Sequence, residues 1–101
     1  MEITVSGRHL EITESMKQYA EQKAAKLPRY YDRIRTIEIV SDKHDSFNYQ
    51  VEVIVKVHQH DPFIASSCGD DLYACIDDVV DKLERQLTDH KEKLRNRKHN
   101  T

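Results

Sequence analysis

Between residues 47 and 57 the chain alternates in polarity. Phe47, Tyr49, Val51, Val53, Val55 and Val57 fall on one side. Asn48, Gln50, Glu52, Lys56 and His58 fall on the other, with Ile54 the exception. A period of two with one polar side describes a strand in a sheet that has one wet face. The opposite, valine-rich face cannot be left in water, so other elements of the chain have to cover it.

The remaining segments read as the parts of such a layered domain. Residues 2–6 alternate, with Ile3 and Val5 on one face, and predict a short strand that Gly7 and Arg8 break. Thr13 is a suitable helix N-cap, with Glu14 in the first turn. Met16, Tyr19, Ala20, Ala24, Leu27 and Tyr31 then recur at helical spacing. Pro28 interrupts this pattern, so a helix is expected over residues 14–30 with a distorted last turn. Residues 34–40 form a second strand carrying Ile37 and Ile39, followed by a polar turn at 42–46. After the strand of residues 47–57, residues 58–62 turn the chain, and Phe63, Ala65 and Ser67 mark a last strand ended by Gly69.

From Gly69 onward the chain reads as one long helix capped by Asp70 or Asp71, with Leu72, Ile76, Val79, Val80, Leu83, Leu87 and Leu94 in one stripe. The order β-α-β-β-β-α predicts an α+β fold, with a four-stranded mixed sheet and both helices packed on one face. The first two strands are expected to be parallel, through a right-handed crossover. Residues 1–95 make one domain, and residues 96–101 a short basic tail expected to fray.

Composition excludes several classes. With 101 residues there is room for one small domain. No apolar run approaches the ~18 residues of a membrane span, and no secretory signal is visible at the start. Cys68 and Cys75 have neither redox-pair nor zinc spacing, and both are expected to be buried thiols, which suits a cytoplasmic protein. There is no glycine-rich phosphate loop and no nucleophile elbow, so the chain does not read as an enzyme and implies no cofactor. His58 and His60 share one strand end near Asp61, and His44 lies beside Asp45, but third and fourth metal ligands are not evident. These histidines read as exposed turn positions and no metal is expected. His90, near the apolar stripe, is expected to pack or cap.

The net charge of −2 conceals a segregation. Asp70, Asp71, Asp77, Asp78 and Asp81 come first on the long helix, where they read as N-terminal charge. Lys82, Arg85, Lys91, Lys93, Arg95, Arg97 and Lys98 follow. Lys82, Gln86 and Lys93 share one flank of it. On the first helix Lys26 and Arg29, beside Gln22, lie on a flank of the stripe, with Lys23 closer to the stripe itself. Side by side on one sheet, the two helices could offer these flanks as a common ridge suited to a phosphate backbone. Charge alone favours a solvated face, because Glu84, Asp89 and Glu92 are available as helical ion-pair partners and the helix dipole accounts for cations at the end of the second helix.

Two segments carry a family resemblance. EITESMKQYAEQKAAKLPRYYDRI, residues 11–34, and DDLYACIDDVVDKLERQLTDHKEKL, residues 70–94, resemble the ribosome hibernation promoting factors, also called ribosomal subunit interface or sigma-54 modulation proteins. The pattern runs through Asp71, Tyr73, Ala74, Ile76, Asp77, Asp81, Lys82, Leu83, Arg85, Gln86, Leu87, His90, Lys91 and Lys93. The resemblance covers essentially the whole chain. It implies a fold similar to double-stranded-RNA-binding domains and a non-enzymatic protein bound in the decoding region of the small ribosomal subunit. There it would overlap the messenger and the A- and P-site tRNA positions and inhibit translation in slow growth or stress.

The rRNA-binding residues the resemblance implies are Lys23, Lys26, Arg29, Lys82, Arg85, Gln86, Lys91 and Lys93. Arg95, Arg97 and Lys98 are additions with less support. The partners would be the small subunit and its rRNA. Because residues 96–101 are too few for a long blocking tail, a ribosome-dimerising factor is a further candidate partner. Two alternatives stand beside this: a general structured-RNA binder or RNA chaperone on the same fold, and a homodimer formed through the exposed sheet face. Ile54 alone is too little apolar surface for the latter, so a monomer is expected when free.

Overall fold

The alternating segment forms the third of four strands in a computed structural model of the chain. The elements are β1 (Glu2–Arg8), α1 (Glu14–Ala24), β2 (Ile34–Asp45), β3 (Asn48–Val57), β4 (Phe63–Gly69) and α2 (Leu72–His99). A short 3-10 helix, Leu27–Arg29, lies between α1 and β2. The structure describes residues 1–99, with side chains for residues 1–95; the last part of the expected basic tail, Asn100 and Thr101, lies outside the described residues.

The sheet order is β1-β2-β3-β4, with β1 parallel to β2 and the other neighbours antiparallel. One face carries Ile37, Ile39, Val51, Val53, Val55 and Val57, all buried, in a single core with Ala20 and Ala24 of α1 and the stripe Leu72, Ile76, Val79, Val80, Leu83 and Leu87 of α2. Both helices therefore cover the valine-rich face, as the one-sided alternation requires.

Several elements differ from their sequence expectation. β1 continues through Gly7 and Arg8, which pair with Ser41 and Asp42. Gly7 is needed there because a Cβ would stand 2.3 Å from the Leu10 carbonyl oxygen, where the chain bends sharply at His9, φ 54°. α1 stops at Ala24 rather than near residue 30. Pro28 has no N–H for a fourth-residue bond, and the following backbone bonds close over three residues, Arg29 N to Lys26 O and Tyr30 N to Leu27 O. Leu27 and Tyr31 still reach the core, 0% and 5% exposed.

β2 is longer than expected, because residues 42–45 continue the ladder against β3. The turn shrinks to Ser46 and Phe47, held by Asp45, whose carboxylate accepts from Phe47 N at 2.9 Å and Asn48 Nδ2 at 2.8 Å. Phe47 sits at the tip, 76% exposed, instead of facing inward. Cys68 faces out while Cys75 is buried. They lie on opposite sides of the layer, since β4 alternates and Cys68 points away from the helices.

The outer sheet face is also slightly more apolar than Ile54 alone suggests. Ile64 of β4 is the cross-strand partner of Ile54 and is 52% exposed. α2 extends through His99, past residue 96 where the basic tail was expected to begin.

Leu83 is fully buried at the centre of the α2 stripe. Leu83→Ala should cost about 2–5 kcal/mol by the lost transfer and cavity terms, measurable by urea denaturation. An effect within experimental error would show that α2 does not carry this core.

Candidate nucleic-acid interface

Three carboxylates at the acidic end of α2, Asp71, Asp77 and Asp78, are engaged within the fold, while Asp70 and Asp81 are exposed. Asp71 is the N-cap, its Oδ1 accepting from Tyr73 N at 3.0 Å and Ala74 N at 3.4 Å. Asp77 and Asp78 lie beyond the first turn, too far along for the dipole reading to explain them. Asp77 faces α1, where it accepts from the Tyr19 hydroxyl at 2.6 Å and pairs with Lys23 Nζ at 3.4 Å. Tyr19 also meets Tyr73 edge to face, with ring centroids 5.0 Å apart. The Asp77 hydrogen bond, then burial and the carboxylate charge, push the Tyr19 phenol up to about 12. Asp78 pairs with Lys82 at 3.1 Å. Hydrogen bonds from Ser67 and then Lys82 lower its pKa.

The eight residues expected to contact rRNA separate into groups. Lys23 bridges the helices through Asp77, its ammonium 5.5 Å from the Tyr19 ring centroid. Lys26 is exposed in the turn before Pro28. Arg29 lines a hollow with Tyr30, Thr88, Lys91, Glu92 and Arg95, between the end of α1 and the later turns of α2. Arg85 borders an adjoining hollow with Tyr30, Glu84, Thr88 and Asp89.

Lys82 and Gln86 lie elsewhere. Lys82 Nζ donates to the Ser66 carbonyl at 2.8 Å, and Gln86 Nε2 to the Ile64 carbonyl at 3.1 Å. They cover the free edge of β4, on the side of α2 away from α1. An open strand edge is a pairing hazard, and a lysine and a glutamine from the helix above close it. The expected common ridge is thus two stripes, one in the cleft between the helices and one over the β4 edge. Lys93 stands beyond the second stripe, by the turn between β3 and β4.

Availability differs as well. Among the described residues Lys23 and Lys82 have ion-pair partners, whereas Lys26, Arg29, Arg85, Lys91 and Lys93 have none within 4.0 Å. Glu84, Asp89 and Glu92 line the same hollows but, among the described residues, form no ion pair within 4.0 Å.

The comparisons with known proteins fit this frame. The family described as sigma 54 modulation protein / S30EA ribosomal protein matches residues 3–95. The chain belongs to this family. The ribosome hibernation promoting factor of Escherichia coli strain K12 is 38% identical over 95 residues, covering 94% of this chain and 98% of that protein. The protein of the same name from Azotobacter vinelandii is 33% identical over 93 residues, covering 92% and 85%. Among solved structures, the N-terminal domain of Thermus thermophilus protein Y superposes with a TM-score of 0.79 at 33% identity, covering 89% of this chain and 99% of that one. A ribosomal subunit interface protein from Coxiella burnetii gives 0.78 at 27% identity, covering 91% and 99%.

For this sigma 54 modulation / S30EA chain, the sequence reading missed residues at the far end of the sheet. Arg33 and Arg35 read only as a connection into β2. The hairpin brings them beside residues 57–60, with Ile34 opposite Val57 and His58 N bonded to the Arg33 carbonyl at 3.1 Å. The basic signal was present in His58 and His60, but only strand pairing adds the arginines. No group of three or more His, Cys, Asp or Glu converges as a metal site among the described residues.

Tyr19 supplies a pH test. Its folded pKa is raised above the unfolded value, so the stability it contributes is full below about pH 10 and is lost as pH rises toward about 12. Tyr19→Phe should cost about 1 kcal/mol near neutral pH and flatten the alkaline fall in stability. An unchanged alkaline slope would show that the Asp77 bond does not join the helices.

Proposed function

We propose that this protein is a non-enzymatic, cytoplasmic ribosome hibernation factor. It binds the small ribosomal subunit at the decoding region, overlaps the messenger and A- and P-site tRNA positions, and inhibits translation in slow growth or stress. It is a monomer when free and works with a ribosome-dimerising partner factor. Membership in the sigma 54 modulation / S30EA family and near full-length similarity to proteins named ribosome hibernation promoting factor support the ribosome as target.

The observation that carries the mode of binding is the set of unpaired cations Arg29, Arg85 and Lys91 around the helix cleft. Arg29, Lys91 and Arg95 in one hollow and Arg85 in the next outnumber the carboxylates Glu84, Asp89 and Glu92 that line the same hollows, and they give phosphates charge and reach without a base-specific pocket. Lys82 and Gln86 are bound to the β4 edge in the free protein, so their use on rRNA requires them to release those carbonyls or to bridge them and a phosphate. The first-rank contacts are therefore Arg29, Lys26, Arg85 and Lys91, with Lys23, Lys82, Gln86 and Lys93 contributing from engaged or peripheral positions.

Co-sedimentation with ribosomes should weaken as salt rises. Replacing Arg29, Arg85 and Lys91 together by Glu should abolish it and leave the fold intact, while replacing each by Gln should flatten the salt slope by roughly 2 to 3. Ribosome binding unchanged in the Glu variant would refute the cleft as the contact surface. Competition against a bare RNA duplex distinguishes the ribosome from general structured RNA: equal affinity for both would replace the hibernation reading with that of an RNA chaperone.

A further inference from the structure

At the end of the sheet remote from the helix N-termini, the turn between β3 and β4 and the later part of α2 enclose a second basic feature. A cavity of about 480 Å³ is lined by Arg33, His58, His60, His90 and Lys93, with Tyr31 and Leu94 on its apolar side. This volume lies in the ~300–1,000 Å³ range of small-ligand sites. Its lining holds two permanent cations and three imidazoles but no carboxylate, in a protein whose net charge is −2.

The rings are already ordered against one another. The His60 imidazole stacks on Phe63, with centroids 4.9 Å apart and planes 4° from parallel. His60 lies 4.4 Å from the His90 ring, and His90 meets Tyr31 edge to face at 5.2 Å. Between His58 and His60, Gln59 holds a left-handed backbone, φ 58°, a conformation non-glycine residues adopt at a cost. The turn is thus set so that His58 and His60 stand on the cavity rather than continuing the strand.

We infer that this cavity binds a nucleoside monophosphate unit. Its phosphate lies between Arg33 and Lys93, and its base lies against the His60 and His90 rings, with His90 backed by the buried Tyr31. Arginine and lysine give charge-assisted hydrogen bonds to phosphate oxygens, and aromatic faces stack any base without reading its sequence. An extended phosphopeptide fits less well, because the nearby β4 edge that would pair with it is occupied by Gln86 and Lys82. The inference rests on the ribosome-binding reading only for the source of the nucleotide, an everted residue of an RNA strand as opposed to a free nucleotide.

The test is NMR titration of the full chain, following imidazole and backbone signals, with adenosine 5′-monophosphate (AMP), adenosine and inorganic phosphate in separate runs. AMP should move the His60 and His90 signals with a dissociation constant of roughly 1 mM or below, and adenosine and phosphate should each bind about tenfold more weakly. Arg33→Gln with Lys93→Gln should weaken AMP by about tenfold while core signals stay in place. The trinucleotide ApApA binding at least as tightly as AMP assigns the site to RNA, and weaker binding assigns it to free nucleotide. Ring signals unmoved at about 10 mM AMP, phosphate binding as tightly as AMP, or full affinity in the double variant would overturn the inference. No ribosome enters this assay, so its failure leaves the co-sedimentation result standing, and failure of co-sedimentation leaves this one standing.

Discussion

The stripe from Leu72 to Leu87 on α2 must lie on the valine face of β3 and its neighbours, because neither surface can be left to water. That burial fixes the rotation of a 28-residue helix about its own axis. Once the stripe faces the sheet, Asp77 has to face α1, and Lys82 and Gln86 have to overhang β4. Arg85 is left on the solvent side. The positions of the cations from Lys82 to Arg95 follow from where the leucines of α2 go.

The electrostatics then separate by role. Asp71 is spent on capping, Asp77 on the Tyr19 and Lys23 contacts to α1, and Asp78 on Lys82. The helix pair is thereby clamped near its acidic end, and the unpaired cations collect around the other. A net charge of −2 is compatible with binding a polyanion because Asp71, Asp77 and Asp78 are engaged within the fold, which leaves Arg29, Arg85, Lys91 and Arg95 to outnumber Glu84, Asp89 and Glu92 around the cleft. Salt bridges on exposed surface contribute little to stability, so their value here lies more in directing which cations remain available.

Much of this was legible in the chain. The strand of alternating valines, the α2 stripe and the parallel pairing of the first two strands follow from period and connectivity. The motif from Asp71 to Lys93 carried the family. Other features depended on contacts no local pattern reveals. Residues 42–45 look like a loop because they are polar, yet they pair with β3 beyond the end of the core. Cys68 and Phe47 look buried because they are apolar, yet the alternation of β4 and the tightness of the Asp45 turn turn them outward. Pro28 announced a break, but its position relative to the core decided that the helix would stop at Ala24 and resume as a 3-10 turn.

The candidate site divides along the same line. Side-chain period determined which cations share a helix flank, since 100° per residue holds wherever the helix lies. Only the packing of α2 against both α1 and β4 decided that those flanks face different neighbours, so that Lys82 and Gln86 close a strand edge while Arg29 and Lys91 meet across a cleft. Only the pairing of β2 with β3 set Arg33 beside His58, residues 25 positions apart in the chain. Periodicity is local and survives in the sequence; the neighbour across a cleft is set by burial of the core, which involves the whole chain at once.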